Sequence, residues 1–200
     1  MKSKTEILSI AGSWEEVVDD CRASVSKPPL GHEPSTAFKL GILIAEHTPV
    51  RLIRIRWRWR ELPSWVATHW VRNIFYKTIS TQRTDRTGIP RDKLPQDAPV
   101  TYTGAANPQH LTDTSRKRLC RTTSPETRAQ AEDLKRELLT CQPEISFVMV
   151  PNCVYRGGCP EMDGCGWYAK MLETHPEMAS RDIKTRYEEY NRLFWGGGGR

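Results

Sequence analysis

The stretch that decides the fold is residues 51–60, which read RLIRIRWRWR. From Ile53 onward apolar and basic side chains alternate strictly, and this period of two is typical of a β-strand with one buried face. The predicted buried face consists of Ile53, Ile55, Trp57 and Trp59, and the opposite face consists of Arg54, Arg56, Arg58 and Arg60. Because four arginines on one face repel one another, we expect acidic side chains, a second subunit or bound phosphate to meet them.

Helix signals flank this strand on its N-terminal side. Ser13 and Glu16 form the pattern of a capping box, so we predict a helix from Trp14 to about Ser26. Ser35 is placed to cap a second helix, which ends before the turn at residues 47–49.

A third helix is predicted directly after the strand. Pro63 and Ser64 open it, and Arg72 falls late in it. Its predicted apolar residues are Trp65, Val66, His69, Trp70 and Phe75. Near the end of the chain, Ser180 is the predicted cap of a last helix that extends to Phe194.

The 200 residues contain no internal repeat and no long linker, so we predict one domain over residues 1–195. The glycine-rich residues 196–200 are expected to form a flexible tail. The longest apolar run, residues 41–45, is far too short for a membrane helix, which needs about 20 residues. With no convincing signal peptide, we expect a cytoplasmic, intracellular protein without a membrane partner.

The net charge of +6 is concentrated in one region. Residues 51–86 hold nine basic residues against Glu61 and Asp85, whereas the rest of the chain holds 21 basic and 22 acidic residues. Such a patch favours a polyanion or a phosphorylated ligand as partner. Within it, residues 80–88 are rich in hydroxyl and guanidinium groups, which suit an anion pocket and equally suit a surface loop.

Three of the six cysteines, Cys153, Cys159 and Cys165, fall in one Gly/Pro-rich loop. This clustering favours reduced thiols over disulfides. The C-x5-C-x5-C spacing lacks the short step of most structural zinc sites and has no fourth ligand nearby, unless Cys120 or a distant histidine supplies one. We therefore predict ordinary thiols and no metal ligand.

The order of these features resembles the flavin-dependent thymidylate synthase family over about residues 42–165. The matching segments are Glu46-His47-Thr48-Pro49, the strand, Ser64 to Arg72, Gln82 to Arg86, Asn107 followed by Arg118-Leu119-Cys120, Pro151 to Val154, and Cys159-Pro160-Glu161. They are similar to the family's EH-x-SP, S-x-x-x-x-QLVRHR, S-x-R, NARSL…LRLC, P-x-C-V and CPE motifs, in the same order.

The resemblance implies an α/β (α+β) fold in which helices flank a central, mostly antiparallel sheet. It also implies a homotetramer whose sites draw residues from more than one chain. The implied reaction is the reductive methylation of dUMP to dTMP, with FAD as cofactor and with NADPH and methylenetetrahydrofolate as co-substrates.

The resemblance also implies roles for particular residues. The implied substrate-binding residues are His69, Gln82, Thr84, Arg86 and Arg118, of which Thr84 and Arg86 are also the implied catalytic residues. The implied FAD-binding residues are His47, Arg72, Asn73, Asn107, Gln109 and Asp113. The sequence departs from the family at Asn73 and Ile74, which replace the second and third residues of RHR, at His69, which replaces Gln, and at Gln109 and Asp113. These departures weaken the flavin site more than the nucleotide site.

Plainer roles remain open for several of these residues. Arg86 could be a solvated loop charge, Arg118 an ion-pair partner on a helix surface and Asn107 a helix cap. We expect His32, His110 and His175 to have surface roles. Two other functions also remain open: a diverged homologue that binds a pyrimidine nucleotide without making dTMP, and a single-stranded nucleic-acid-binding protein that uses the Trp/Arg strand. The opposite orientation of the Trp and Arg sets makes the nucleic-acid partner the weakest alternative.

Overall fold

The computed structural model describes residues 4–196. Its strands are β1 (Thr5–Ala11), β2 (Arg54–Pro63), β3 (Tyr76–Ile79) and β4 (Pro99–Ala106). They form a four-stranded sheet in the order β1-β2-β4-β3, and each neighbouring pair is antiparallel. The predicted antiparallel sheet is therefore confirmed, and the strand predicted from residues 51–60 lies at its centre.

The helices of the described chain share a hydrophobic core with the apolar face of this sheet, except for the short helix Thr84–Thr87, which has no buried residue. They are α1 (Trp14–Ala23), α2 (Thr36–Ile44), α3 (Ser64–Val71), α4 (Thr84–Thr87), α5 (Pro108–Arg118), α6 (Pro125–Cys141), α7 (Pro143–Val148), α8 (Asn152–Arg156), α9 (Trp167–Thr174) and α10 (Ile183–Trp195). Short 3-10 turns cover Thr48–Leu52, Arg91–Lys93 and Pro176–Ala179. The buried apolar side chains of sheet and helices form one continuous core, so the chain is a single α+β domain.

The alternation in β2 divides the two faces of the sheet as predicted. Ile55, Trp57 and Trp59 are completely buried, and Ile53 is almost so. The Trp59 indole N–H donates a hydrogen bond to Thr5 Oγ1 at 2.7 Å, which ties β2 to β1. The tryptophans account for much of the apolar surface that holds the helices on the sheet.

The opposite face of β2 carries the arginine side chains. Arg58 and Arg60 lie 3.7 and 3.6 Å from the carboxylate of Glu6 on β1, so the predicted acidic partner is present for these two. Arg54 and Arg56 are exposed and form no ion pair within residues 4–196.

The predicted helix starts are confirmed at the first two helices. Ser13 and Glu16 form both hydrogen bonds of the capping box, and Ser35 Oγ accepts a hydrogen bond from the Phe38 amide. The predicted end of α1 at Ser26 is wrong, because the helix stops at Ala23 and Ser26 has a left-handed backbone, with φ of 57°.

Two further boundaries differ from the prediction. Helix α3 ends at Val71, so Phe75 lies beyond it in the connection to β3. The cap of α10 is Asp182 and not Ser180, because both Asp182 carboxylate oxygens accept amide hydrogen bonds from the first turn of the helix. Of the predicted flexible tail, Gly196 ends α10, and residues 197–200 lie outside the described residues. None of the helices from residue 4 to 196 is long and apolar enough to cross a membrane.

Candidate functional site

A polar groove of about 550 Å³ opens between the C-terminal end of α3 and one face of α5. On the α3 side it is lined by Arg72, Asn73, Ile74 and Phe75, and on the α5 side by His110, Asp113, Thr114, Lys117 and Arg118. The volume is within the range of pockets that bind small molecules. The groove therefore combines several cationic side chains with enough space for a nucleotide.

The α5 lining follows from helix geometry. Positions 110, 113, 114, 117 and 118 are three or four residues apart, so they lie on one face of the helix. Asn107 fixes the start of this helix, since its side-chain oxygen accepts a hydrogen bond from the His110 amide at 2.9 Å. The side-chain oxygen of Asn107 therefore acts as a helix cap, which is the plainer of its two predicted roles.

Arg118 is a half-buried cation with incomplete pairing. One of its terminal nitrogens donates a hydrogen bond to the backbone oxygen of His69, whereas its Nε is buried and has no hydrogen-bond partner. No carboxylate pairs with Arg118 in the described part of the chain, so the predicted role as a surface ion-pair partner is wrong. Burial, together with the nearby charge of Arg72, lowers the pKa of Arg118.

Arg72 is the second cation of the groove. It is exposed and forms no ion pair with any residue from 4 to 196. Two guanidinium groups close enough to interact, with neither neutralised by a carboxylate, favour the binding of an anion. A phosphate group would complete the hydrogen bonding of Arg118 and relieve the repulsion between the two cations.

His69 lies behind this pair of arginines. Its Nδ1 is 2.7 Å from Thr127 Oγ1, which holds the ring against α6. Burial lowers the pKa of His69, and the charges of Arg118 and Arg72 lower it further. The side chain of His69 is therefore neutral at pH 7. Its backbone oxygen separately accepts the hydrogen bond from Arg118.

Asn73 and Ile74 stand where the resembled family has His and Arg, so the groove lacks basic side chains at these two positions. The Asn73 amide donates to the Trp70 backbone oxygen at 2.9 Å, and its side-chain oxygen accepts a hydrogen bond from Thr114. Ile74 is 85% exposed beside the groove. At these two positions the chain therefore offers an internal bracing contact and an exposed apolar side chain in place of two basic groups.

Two other predicted flavin-binding residues, Gln109 and the groove residue Asp113, belong to one polar network. Gln109 donates to the Glu46 carboxylate at 2.8 Å, Arg116 pairs with both Glu46 and Asp113, and the Arg116 guanidinium stacks on the Tyr155 ring. Burial opposes ionisation of Glu46, but the hydrogen bonds and charge of Arg116 and Gln109 lower its pKa overall. His47 is exposed and lies outside the groove.

The predicted loop residues Gln82, Thr84 and Arg86 also lie outside the groove of their own chain. Thr84 begins α4, and its hydroxyl accepts a hydrogen bond from the Arg91 amide at 3.1 Å. Arg86 is exposed, with its Nε 3.8 Å from the Asp85 carboxylate. Within one chain this segment is a surface loop, one of the two structures that its composition predicts.

Sequence reasoning missed two groove residues. His110, which we expected to have a surface role, is half-buried and lines the groove, and so does the exposed Lys117. Helical spacing could have found both, since His110 lies two turns before Arg118 and Lys117 lies two turns after His110.

Whether a flavin dinucleotide fits depends on the cations and hydrogen-bond donors that the groove presents. A pyrophosphate needs several cations or amide donors, and of the residues implied for FAD only Arg72 presents an unpaired cation to the groove. The remaining candidates provide a helix cap, an internal amide or a pre-formed network with Glu46 and Arg116. By itself one chain therefore does not fit FAD, whereas its unpaired arginines suit a smaller anion.

Among the comparisons with known proteins, the one with solved structures supports the fold. No family model and no curated protein matches the chain. Among solved structures, the crystal structure of a UMP/dUMP methylase PolB from Streptomyces cacaoi, bound with 5-Br dUMP, matches with a TM-score of 0.60. The match covers 74% of this chain and 94% of that chain at 13% sequence identity. The two proteins share the α+β fold.

Proposed function

We propose that this protein is an enzyme that methylates dUMP to dTMP, and that the groove between α3 and α5 binds the nucleotide. The observation that carries the proposal is the pair Arg72 and Arg118, two neighbouring cations with no carboxylate partner in the described chain. The likeness to the fold of a protein described as a UMP/dUMP methylase supports it.

The arginines account for recognition of the phosphate. Guanidinium groups form charge-assisted hydrogen bonds with a phosphate of about 1.5–3 kcal/mol each, and the half-buried Arg118 is held in place by the backbone oxygen of His69. His110 and Lys117 add nearby donors on the same helix face. Asp113 would repel the phosphate, but the Arg116 guanidinium 2.9 Å away reduces that effect.

FAD, NADPH and methylenetetrahydrofolate remain part of the proposal. Bound FAD, reduced by NADPH, would supply the hydride, and methylenetetrahydrofolate would supply the one-carbon unit. Because the donors of one chain do not fit FAD, we propose that a homotetramer completes the site. The exposed loop with Gln82, Thr84 and Arg86 is the segment that would reach a neighbouring chain.

One observation favours the second candidate, a diverged homologue without dTMP synthesis. Asn73 uses its side chain to brace the groove, and Gln109 is held by Glu46, so neither is free to bind a flavin in the described conformation. The nucleic-acid alternative loses its stacking platform, because Trp57 and Trp59 are completely buried.

Product analysis tests the proposal. Purified protein is incubated with dUMP, methylenetetrahydrofolate, NADPH and FAD, and the nucleotide is analysed by mass spectrometry. We expect dTMP to form and NADPH to be oxidised only when dUMP is present. Binding of dUMP without dTMP would select the diverged homologue, and the absence of both binding and product would reject the proposed function.

A further inference from the structure

Four cysteines surround one small cavity on the side of α8. Cys120, Cys153, Cys159 and Cys165 all line it, although they come from three separate segments of the chain. The other two cysteines, Cys21 and Cys141, lie elsewhere, and none of the six forms a disulfide. The structure thus brings Cys120 to the other three cysteines. The prediction that those three lie in one loop is wrong for Cys153, which lies in helix α8.

Two of the four cysteines are anchored and two are on an exposed loop. Cys153 is buried in α8, and Cys120 follows directly after the end of α5. Cys159 and Cys165 are exposed and lie in a segment that contains four glycines between residues 157 and 166. A β-carbon at Gly164 would lie 3.0 Å from the Cys159 sulfur, so this loop folds Cys159 back against the residue before Cys165.

We infer that Cys120, Cys153, Cys159 and Cys165 form a structural site for a tetrahedral, thiolate-binding divalent cation such as Zn²⁺. Four thiolates complete the coordination of Zn²⁺ and leave no position for a substrate. The cavity has about 50 Å³ of space, which is enough for a metal ion.

The exposed loop with Cys159 and Cys165 would close around the ion. Among residues 4–196, no three His, Cys, Asp or Glu side chains are already arranged around an ion position. Cys159 and Cys165 must therefore move towards the anchored pair when the ion binds, and the glycines of the loop permit this movement.

The bound ion would also restrict the movement of the C-terminal end of α5, which borders the groove. Cys120 follows Arg118 by two residues, and Glu161 of the same loop lies 3.3 Å from Lys117 Nζ. A closed metal site would fix the C-terminal end of α5, which carries Lys117 and Arg118 of the groove.

Metal titration of the reduced full chain tests the inference. Zn²⁺ is added to protein freed of metal and its stoichiometry is measured by native mass spectrometry, while Co²⁺ serves as the spectroscopic probe. We expect one ion per chain, the thiolate-to-cobalt charge-transfer band of a tetrahedral site and a higher Tm with Zn²⁺.

The variants Cys159→Ser and Cys165→Ser should lose the cobalt band and the Zn²⁺-dependent rise in Tm. Both positions are exposed, so these variants are expected to fold. Cys21→Ser and Cys141→Ser, which change cysteines outside the cavity, are the matched controls and should behave as the wild type. A wild-type chain that binds neither metal, or a band that persists in both loop variants, would overturn the inference.

Discussion

Arg118 is held half-buried with an unpaired nitrogen and with a second cation, Arg72, beside it. Its position two residues before Cys120 allowed the sequence motif to identify it. His110 was not predicted, because its place one turn into a helix shows a role only when its spacing from Arg118, two turns later on the same face of α5, is taken into account. What that face of α5 meets depends on how α5 packs beside α3, and a single sequence does not specify this packing.

The first prediction concerns the phosphate site. Arg72→Gln and Arg118→Gln should each weaken dUMP binding roughly 10- to 100-fold, since each removes a charge-assisted hydrogen bond. Isothermal titration calorimetry measures the affinity. Arg54→Gln, which removes an exposed arginine from β2, is the matched control and should bind dUMP normally. Unchanged affinity in both groove variants would show that the phosphate binds elsewhere. If the Arg118 variant does not fold, the variant of the exposed Arg72 still tests the prediction.

The second prediction follows from the lowered pKa of His69. Below its ordinary value near 6.5, the unfolded chain binds a proton that the folded chain resists, so this residue makes stability fall as the pH decreases. His69→Gln removes this dependence. Between pH 7 and pH 5, the unfolding free energy of the wild type should therefore decline more steeply than that of the variant in urea titrations. Parallel curves would show that His69 does not resist protonation.

At the scale of elements, β2 was predictable because strict alternation separates its arginines from its large apolar residues only if the segment is a β-strand. The sequence did not predict its partners or their order, since β1 and β4 pair with it across long separations in the chain. The C-terminal end of α1 was misplaced by about three residues, because helix ends are weakly marked in a sequence. The start of α10 was misplaced by two residues, because Asp182 and Ser180 are both good N-cap residues.

The close packing of β4 on β2 yields the third prediction. A β-carbon at Gly104 would lie 2.4 Å from the Trp57 ring, so Gly104→Ala must displace a completely buried tryptophan. We expect a loss of about 1–3 kcal/mol in unfolding free energy. Gly41→Ala is the control: it lies in helix α2 with open space around it and should add up to about 1 kcal/mol. Equal denaturation midpoints for the two variants would contradict the packing described.

At the scale of the whole molecule, the groove of one chain contains Arg72, Arg118, Asn73 and Asp113 but not Gln82, Thr84 or Arg86. The resemblance implied sites that draw residues from more than one chain, but the sequence motifs did not show which of these residues share a chain. The exposed α4 loop and the poor fit of one chain to FAD are explained together if the site is completed by a second subunit.

The fourth prediction tests this shared site. Chains with Arg118→Gln and chains with Arg86→Gln are expressed separately and together, and dTMP formation is measured. If the loop of one chain serves the groove of another, each variant alone should be nearly inactive, and mixed oligomers should regain part of the activity through sites with both arginines. Mixed oligomers no more active than the average of the two variants would show that the residues act within one chain.

The most direct test of the account is a crystal structure of this protein with 5-bromo-dUMP, in which the anomalous signal of bromine locates the base. We predict the phosphate against Arg72 and Arg118 and the base in the groove between α3 and α5. A nucleotide bound elsewhere, or a groove left empty at saturating ligand, would contradict the assignment of this groove as the substrate site.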